Sequence, residues 1–288
     1  MTAMTAMTAL TAGARAEVLR LRRWPALWTL AAAWLLLNIT FGYLFPYLSY
    51  RNGGGFGSDG VDPGRLLGDV LPETVPAAAV QGMPMFGGAI LFALGALAAG
   101  SGYGWGTWKT AFTQGPGRLS VLGGTLAALA GCVAAFVAAT FAVDFGIALS
   151  LASVEGQAIV WPAAGDLLGG LGGGALILAL WTAAGLAVGT LTRNPALAVA
   201  LGLVWTLAVE NLLRAVSSLL DWLAPITDVM PGTAAGSIAT AAGAASVSDG
   251  GSPGVVDDLG GGAAVTVALV YLAVFVIVTA VLMRRDVA

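Results

Sequence analysis

Residues 119–143 read LSVLGGTLAALAGCVAAFVAATFAV, 25 positions without one charged side chain. A helix needs about 20 such residues to cross the hydrocarbon core of a bilayer. In water the same run would expose more apolar surface than a monomer tolerates. The apolar character extends through FGIALSLAS at 145–153, and comparable runs cover 24–45, 83–100, 167–191, 195–212 and 262–283. Six spans follow. Each is continuous rather than alternating, so the expected fold is all-α and polytopic, not a β-barrel.

The whole composition agrees. Hydrophobic residues make up 58% and charged residues 9% of the 288 positions, against about 25% charged in a soluble domain. Histidine is absent and Cys132 is the lone cysteine. This removes internal disulfides, histidine metal sites and the commonest general base. The opening MTAMTAMTALTAG, residues 1–13, is low-complexity and reads as disordered, with residues 14–288 as one membrane domain. No cleavable signal is expected, because the first apolar run is too long for a signal core.

Orientation follows from the basic residues. With six crossings, Arg15, Arg20, Arg22, Arg23, Lys109, Arg118, Arg193, Arg284 and Arg285 share one side, and Arg51, Arg65 and Arg214 lie on the other. The nine mark the cytoplasmic face and place both termini there. The outer loops are then residues 46–82 and 213–261, which hold most of the acidic side chains. Within RAEVLRLRRW, residues 15–24, Val18, Leu21 and Trp24 share a face, which suits an interfacial helix leading into the first span. Leu213, Val216, Leu220 and Leu223 are also helically spaced, leaving a short amphipathic helix and a plain loop both open.

Several chemistries fail on spacing or composition. The cytoplasmic segment 101–118 contains GYGWGTWKTAFTQGPGR, with the chain's only lysine, Lys109, followed by Thr110. A phosphate-binding P-loop needs glycines six and one residues before that lysine. Tyr103 and Trp108 stand there instead. Nucleophilic catalysis lacks an activating base, and no nucleic-acid partner is expected. Gly169/Gly173, Gly170/Gly174 and Gly185/Gly189 place small residues one turn apart, the pattern that lets helices approach closely in lipid. Asn38, Thr40, Asp144 and Glu210 are polar groups within the spans and candidates for a transport pathway. The alternative for the two acids is that each simply reaches the outer interface.

The segment PMFGGAILFALGALAAGSGYGWGTWKTAFTQGPGRLSVLGG resembles permease subunits of type-2 ATP-binding-cassette exporters. The likeness rests on Tyr103, Gly104, Gly106, Thr107, Lys109, Thr110, Pro116 and Arg118, and on Arg285-Asp286 after the sixth span. It departs at Gly102, where the family usually has glutamate, and at Gly123–Thr125, where it often has a basic residue. The resemblance implies a bacterial cell-membrane protein with a short coupling helix between spans two and three. Tyr103, Trp105, Thr107, Trp108, Lys109, Thr110, Gln114 and Arg118 would contact a separate ATPase subunit, which would hold ATP and Mg; no cofactor is expected in this chain. A second permease subunit, identical or not, would complete the pathway for an amphiphilic substrate such as a drug, peptide antibiotic or lipid-like molecule. A membrane scaffold or immunity protein and a secondary transporter are the alternatives.

Overall fold

The computed structural model describes residues 3–54, 62–104, 106, 117–217, 219, 220 and 222–285. Among these it is helical without strands, and six helices are long and apolar enough to cross a membrane. We number the helices in chain order. The amino-terminal helix α1 covers Ala3–Arg22. The spans are α2 (Pro25–Asn52), α5 (Met83–Gly104), α6 (Arg118–Val154), α7 (Ala164–Thr192), α8 (Pro195–Ser217) and α11 (Gly261–Arg285). Among the described residues, four short α-helices lie between spans: α3 (Pro63–Gly68), α4 (Val75–Gln81), α9 (Ala224–Asp228) and α10 (Pro231–Ala241).

Where the Thr-Ala-Met repeat reads as disordered, the structure carries α1 as a helix from Ala3. Its alanines, methionines and leucine are good helix formers. Gly13 of α1 also meets Gly124 of α6 backbone to backbone; a Cβ on Gly124 would lie 2.8 Å from the Gly13 carbonyl carbon. A long basic side chain at position 124 would push these helices apart. Leu21 is buried at the end of α1, while Val18 is exposed.

The bundle is organised around α5 and α7. In α5, 78% of the most apolar window is buried, and in α7, 61%. The corresponding value is 11% for α11 and 22% for α2 and α8, so these three expose the broadest apolar surfaces. The crossing of α5 and α7 rests on two glycines. A Cβ on Gly95 would sit 2.1 Å from the Thr182 carbonyl oxygen, and one on Gly185 would sit 2.0 Å from that of Phe92. Neither leaves space for a methyl group. Gly189, Gly170 and Gly174 likewise face Ala96, Pro76 and Met83 of this chain, so the small-residue pairs of α7 serve packing within the subunit. Gly169 faces open space.

Three spans contain a π-helical turn: Thr40–Leu44 in α2, Met83–Gly87 opening α5, and Trp205–Val209 in α8. The first precedes Pro46, which has no N–H to continue the regular ladder. The Phe45 N–H bonds to the Thr40 carbonyl instead, and α2 continues past the expected end at Phe45 to Asn52. There Tyr47 and Tyr50 donate to the two oxygens of Glu155 at 2.6 and 3.2 Å, and Arg51 pairs with it at 3.3 Å. This clasp joins the ends of α2 and α6. The Tyr47 hydrogen bond first, then those of Tyr50 and the Arg51 charge, hold the Glu155 carboxyl below its usual range.

The α5–α7 crossing yields a test. Gly185→Val is expected to cost at least about 2 kcal/mol through overpacking, while Gly169→Ala should be neutral or slightly stabilising. Melting of the detergent-purified protein would separate them; equal melting temperatures would contradict the crossing.

Candidate functional site

Two places concentrate polar and aromatic groups, one at each end of the bundle. At the end carrying the termini, the segment between α5 and α6 is bounded by Gly104 and Gly117. Of its sequence-predicted contact residues, Trp105, Thr107, Trp108, Lys109, Thr110 and Gln114 lie outside the described residues. Tyr103 and Arg118 are described and tie the segment to other spans. The Arg193 guanidinium lies over the Tyr103 ring, 5.7 Å from its centre. Arg118 donates from Nη1 to the Arg284 carbonyl at 2.8 Å. Arg193 occupies the left-handed turn that ends α7, with φ 53°. Asn194 then caps α8, accepting from Ala196 N at 3.0 Å and Leu197 N at 3.2 Å, and Pro195 occupies the first turn, where its missing N–H is harmless. Gly100 of α5 packs directly on Pro195. Nearby, Arg20 of α1 pairs with Glu17 and donates to the Ala98 carbonyl at 3.3 Å. Gly102, where the resembling family has glutamate, is buried.

The intramembrane candidates separate. Asn38 and Asp144 are brought together: Asn38 donates from Nδ2 to Asp144 Oδ1 at 2.6 Å, with both side chains buried. One turn away Trp34 donates to Thr140 Oγ1 at 2.8 Å, and Thr140 donates to the Phe136 carbonyl. Asp144 Oδ2 has no hydrogen-bond partner among the described residues. Thr40 does not join this cluster; it opens the first π-turn, and its carbonyl is the acceptor there.

Asp144 and Glu210 do not reach an exposed interface, being 0% and 1% exposed. Nor does either line the two cavities described below. Glu210 has a different task. Its Oε1 accepts from the backbone N–H of Gly232 at 2.6 Å and of Thr233 at 3.0 Å, capping α10 from another helix. A carboxylate suits the positive end of a helix dipole. A Cβ on Gly232 would fall 2.6 Å from the carboxylate, so only glycine allows this approach.

Sequence reasoning placed residues 213–261 in a loop and missed α10. Pro231 through Ala239 are all buried, and the helix packs against α7, α11 and the second π-turn. It is about 16 Å long, too short to register as a span. Its signals were Pro231 at the first helical position and an uncharged run over 229–248. The segment predicted as an amphipathic helix or loop is divided: Leu213 and Val216 belong to the continuous α8, while Leu220 and Leu223 fall in the turns leading to α9.

Among the described residues, two cavities open at this loop end. The smaller, about 140 Å³, is walled by Trp34, Asn38, Phe41, Gln81, Phe86 and Pro253. The larger, about 910 Å³, lies among Met85, Asn211, Arg214, Asp228, Asp257 and Asp258, again with Pro253 in its wall. Partial desolvation at the cavity wall, then the neighbouring Asp228 and Asp257 carboxylates, push the Asp258 carboxyl above its usual range, against the opposing pull of Arg214. Among the described residues no group of three or more His, Cys, Asp or Glu side chains is arranged to hold a metal. No family model and no curated protein matches the sequence. Fold and geometry define a multi-pass α-helical membrane protein with a polar cavity at one end of the bundle and an arginine-bordered connecting segment at the other.

Removing the Glu210 carboxylate would strand two buried N–H groups, each costing about 1–3 kcal/mol. Glu210→Ala is expected to lower the melting temperature and speed amide exchange at Gly232 and Thr233, whereas Glu210→Gln, which keeps an acceptor oxygen, should do so less. Unchanged exchange in the alanine variant would contradict the cap.

Proposed function

We propose that this chain is the membrane-spanning permease subunit of an ATP-driven exporter in a bacterial cytoplasmic membrane, working with a separate ATP-binding-cassette ATPase. The supporting observation is the segment between α5 and α6. It carries the Tyr-Gly-x-Gly-Thr-x-Lys-Thr pattern of residues 103–110. Its two ends are tied to α7 through Arg193 and to α11 through Arg284. A push on that segment would reach α5, the most buried span, and two further spans directly. Trp105, Trp108 and Phe112 supply contact area and Lys109 a charge; aromatic and basic anchors commonly dominate such interfaces.

In this reading the arginine-rich end faces the cytoplasm and the loop end faces outwards. Hydrolysis and its ATP and Mg belong to the partner, and this chain is not an enzyme. A second permease subunit completes the pathway, and closure of the ATPase pair shifts the spans between inward- and outward-facing states. An ion-coupled carrier is the second reading. It draws on Asp144, buried with one oxygen unpartnered among the described residues; an intramembrane acid of this kind is a common coupling site.

Affinity purification of the tagged chain from its native host tests the first reading. A P-loop ATPase, identified by mass spectrometry, is expected in stoichiometric amount with the natural chain. With Lys109→Glu plus Trp108→Ala it should be largely lost while the chain remains inserted. Undiminished ATPase with the double variant would overturn the coupling role; no ATPase with either would favour the carrier.

A further inference from the structure

The three π-turns meet. Phe41 of the first stacks on Phe86 of the second, with ring centres 6.2 Å apart and planes 6° from parallel. Met85, also in the second, receives a weak contact from Asn211 Nδ2 at 3.8 Å. Asn211 follows the third turn by two residues and donates to its Thr206 and Leu207 carbonyls at 3.4 and 3.1 Å. Such turns often occur at functional sites. Here they border both cavities, with Phe86 in the wall of the smaller, Met85 in that of the larger, and Pro253 shared. The strand of chain over them is fixed rather than loose. Val247 N bonds to the Val255 carbonyl at 2.9 Å, and Thr240 Oγ1 to that of Val256 at 2.9 Å. Gly254, at φ +89°, lies close against Met85.

The two cavities differ in chemistry. The smaller offers the faces of Trp34, Phe41 and Phe86 with the amides of Asn38 and Gln81. Its size matches a cavity of about 150 Å³ that accepts one benzene ring, and Phe41 at its border is 53% exposed. The larger falls in the usual range for small-molecule sites, about 300–1,000 Å³. It sets Asp228, Asp257 and Asp258 against the single guanidinium of Arg214. Arg214 donates from Nη2 to Asn211 Oδ1 at 2.8 Å, and no ion pair joins it to these acids among the described residues. A further carboxyl group lies behind the aromatic wall. Asn38 is hydrogen-bonded to the fully buried Asp144, whose Oδ2 has no hydrogen-bond partner among the described residues.

We propose that the adjoining cavities form one binding site for a cationic amphiphile. Its aromatic or apolar part lies against Trp34, Phe41 and Phe86, and its positive group lies among Asp228, Asp257 and Asp258. Cation–π attraction to the aromatic faces and the excess of carboxylates act in the same direction. A neutral molecule of the same shape gains only the apolar part, and an anion is repelled. This rests on the transporter reading and deepens it, naming the class of molecule carried.

The test uses the full chain alone, without an ATPase, in nanodiscs of zwitterionic lipid. Radiolabelled tetraphenylphosphonium is the probe, triphenylphosphine oxide the neutral comparator, and empty nanodiscs the background for membrane partitioning. Saturable binding of the cation is expected, with the oxide bound much more weakly. Asp257→Asn with Asp258→Asn, at two exposed positions whose replacement leaves the core intact, should weaken the cation by about tenfold or more. Phe41→Ala should weaken it as well. No saturable binding above empty nanodiscs, equal binding of the neutral oxide, or unchanged affinity in the double asparagine variant would each overturn the site. These outcomes are independent of ATPase co-purification. An ATPase partner without cation binding removes only the substrate class, and cation binding without an ATPase leaves the site standing while removing the exporter.

Discussion

A short helix buried inside an apolar bundle cannot leave the N–H groups of its first turn bare. For α10 that constraint is met by one side chain, Glu210 of α8, which bonds the N–H groups of Gly232 and Thr233. Much of the loop end follows from it. α10 is held against α7 and α11. The Thr233 hydroxyl bonds back to the Thr227 carbonyl at 2.7 Å, which secures the turn from α9. The chain after α10 then straps itself to that helix through Ser237 and Thr240. The walls of the larger cavity are thus supports for α10 on one side and π-turns on the other. A carboxylate is costly inside a membrane protein, and here two backbone donors at a helix N-terminus offset part of that cost.

The centre of the bundle is held differently, by the absence of side chains. In lipid there is little hydrophobic gain from bringing helices together, so close van der Waals contact must do it. Gly95 and Gly185 allow α5 and α7 to touch through backbone atoms. With these two spans as an axis, the ends of α5 acquire opposite characters. At one end its π-turn borders both cavities. At the other, Tyr103 lies under Arg193 beside the connecting segment. One helix therefore links the two candidate functional regions.

The six spans were legible because about 20 consecutive apolar residues leave few alternatives, and the helix ends at Pro25, Pro195 and Arg193-Asn194 obey local capping chemistry. The extension of α2 past Phe45 was not legible. Pro46 lacks the N–H that a regular helix would use there, and a π-turn accommodates it. The small-residue pairs of α7 announced close packing without naming the partner; α5, α4 and Met83 supply it within the chain. Helix α10 escaped notice because Gly, Ala, Ser and Thr carry little periodic signal. Its capping residue lies 22 positions upstream, beyond any local pattern. For the same reason Glu210 and Asp144 read as outer-edge acids, whereas tertiary contacts bury both.

The docking of α10 inside the bundle can be tested by a disulfide. A Cβ at Gly173 of α7 lies 3.8 Å from that of Ala242, just past the end of α10, within the range of about 3.5–4.5 Å that a disulfide requires. In a Cys132→Ala background, Gly173→Cys with Ala242→Cys should oxidise in the membrane. Mass spectrometry should then find no alkylated cysteine before reduction and two after it. Alkylation of both cysteines without reductant, under oxidising conditions, would place α10 away from α7 and contradict the buried, Glu210-capped helix.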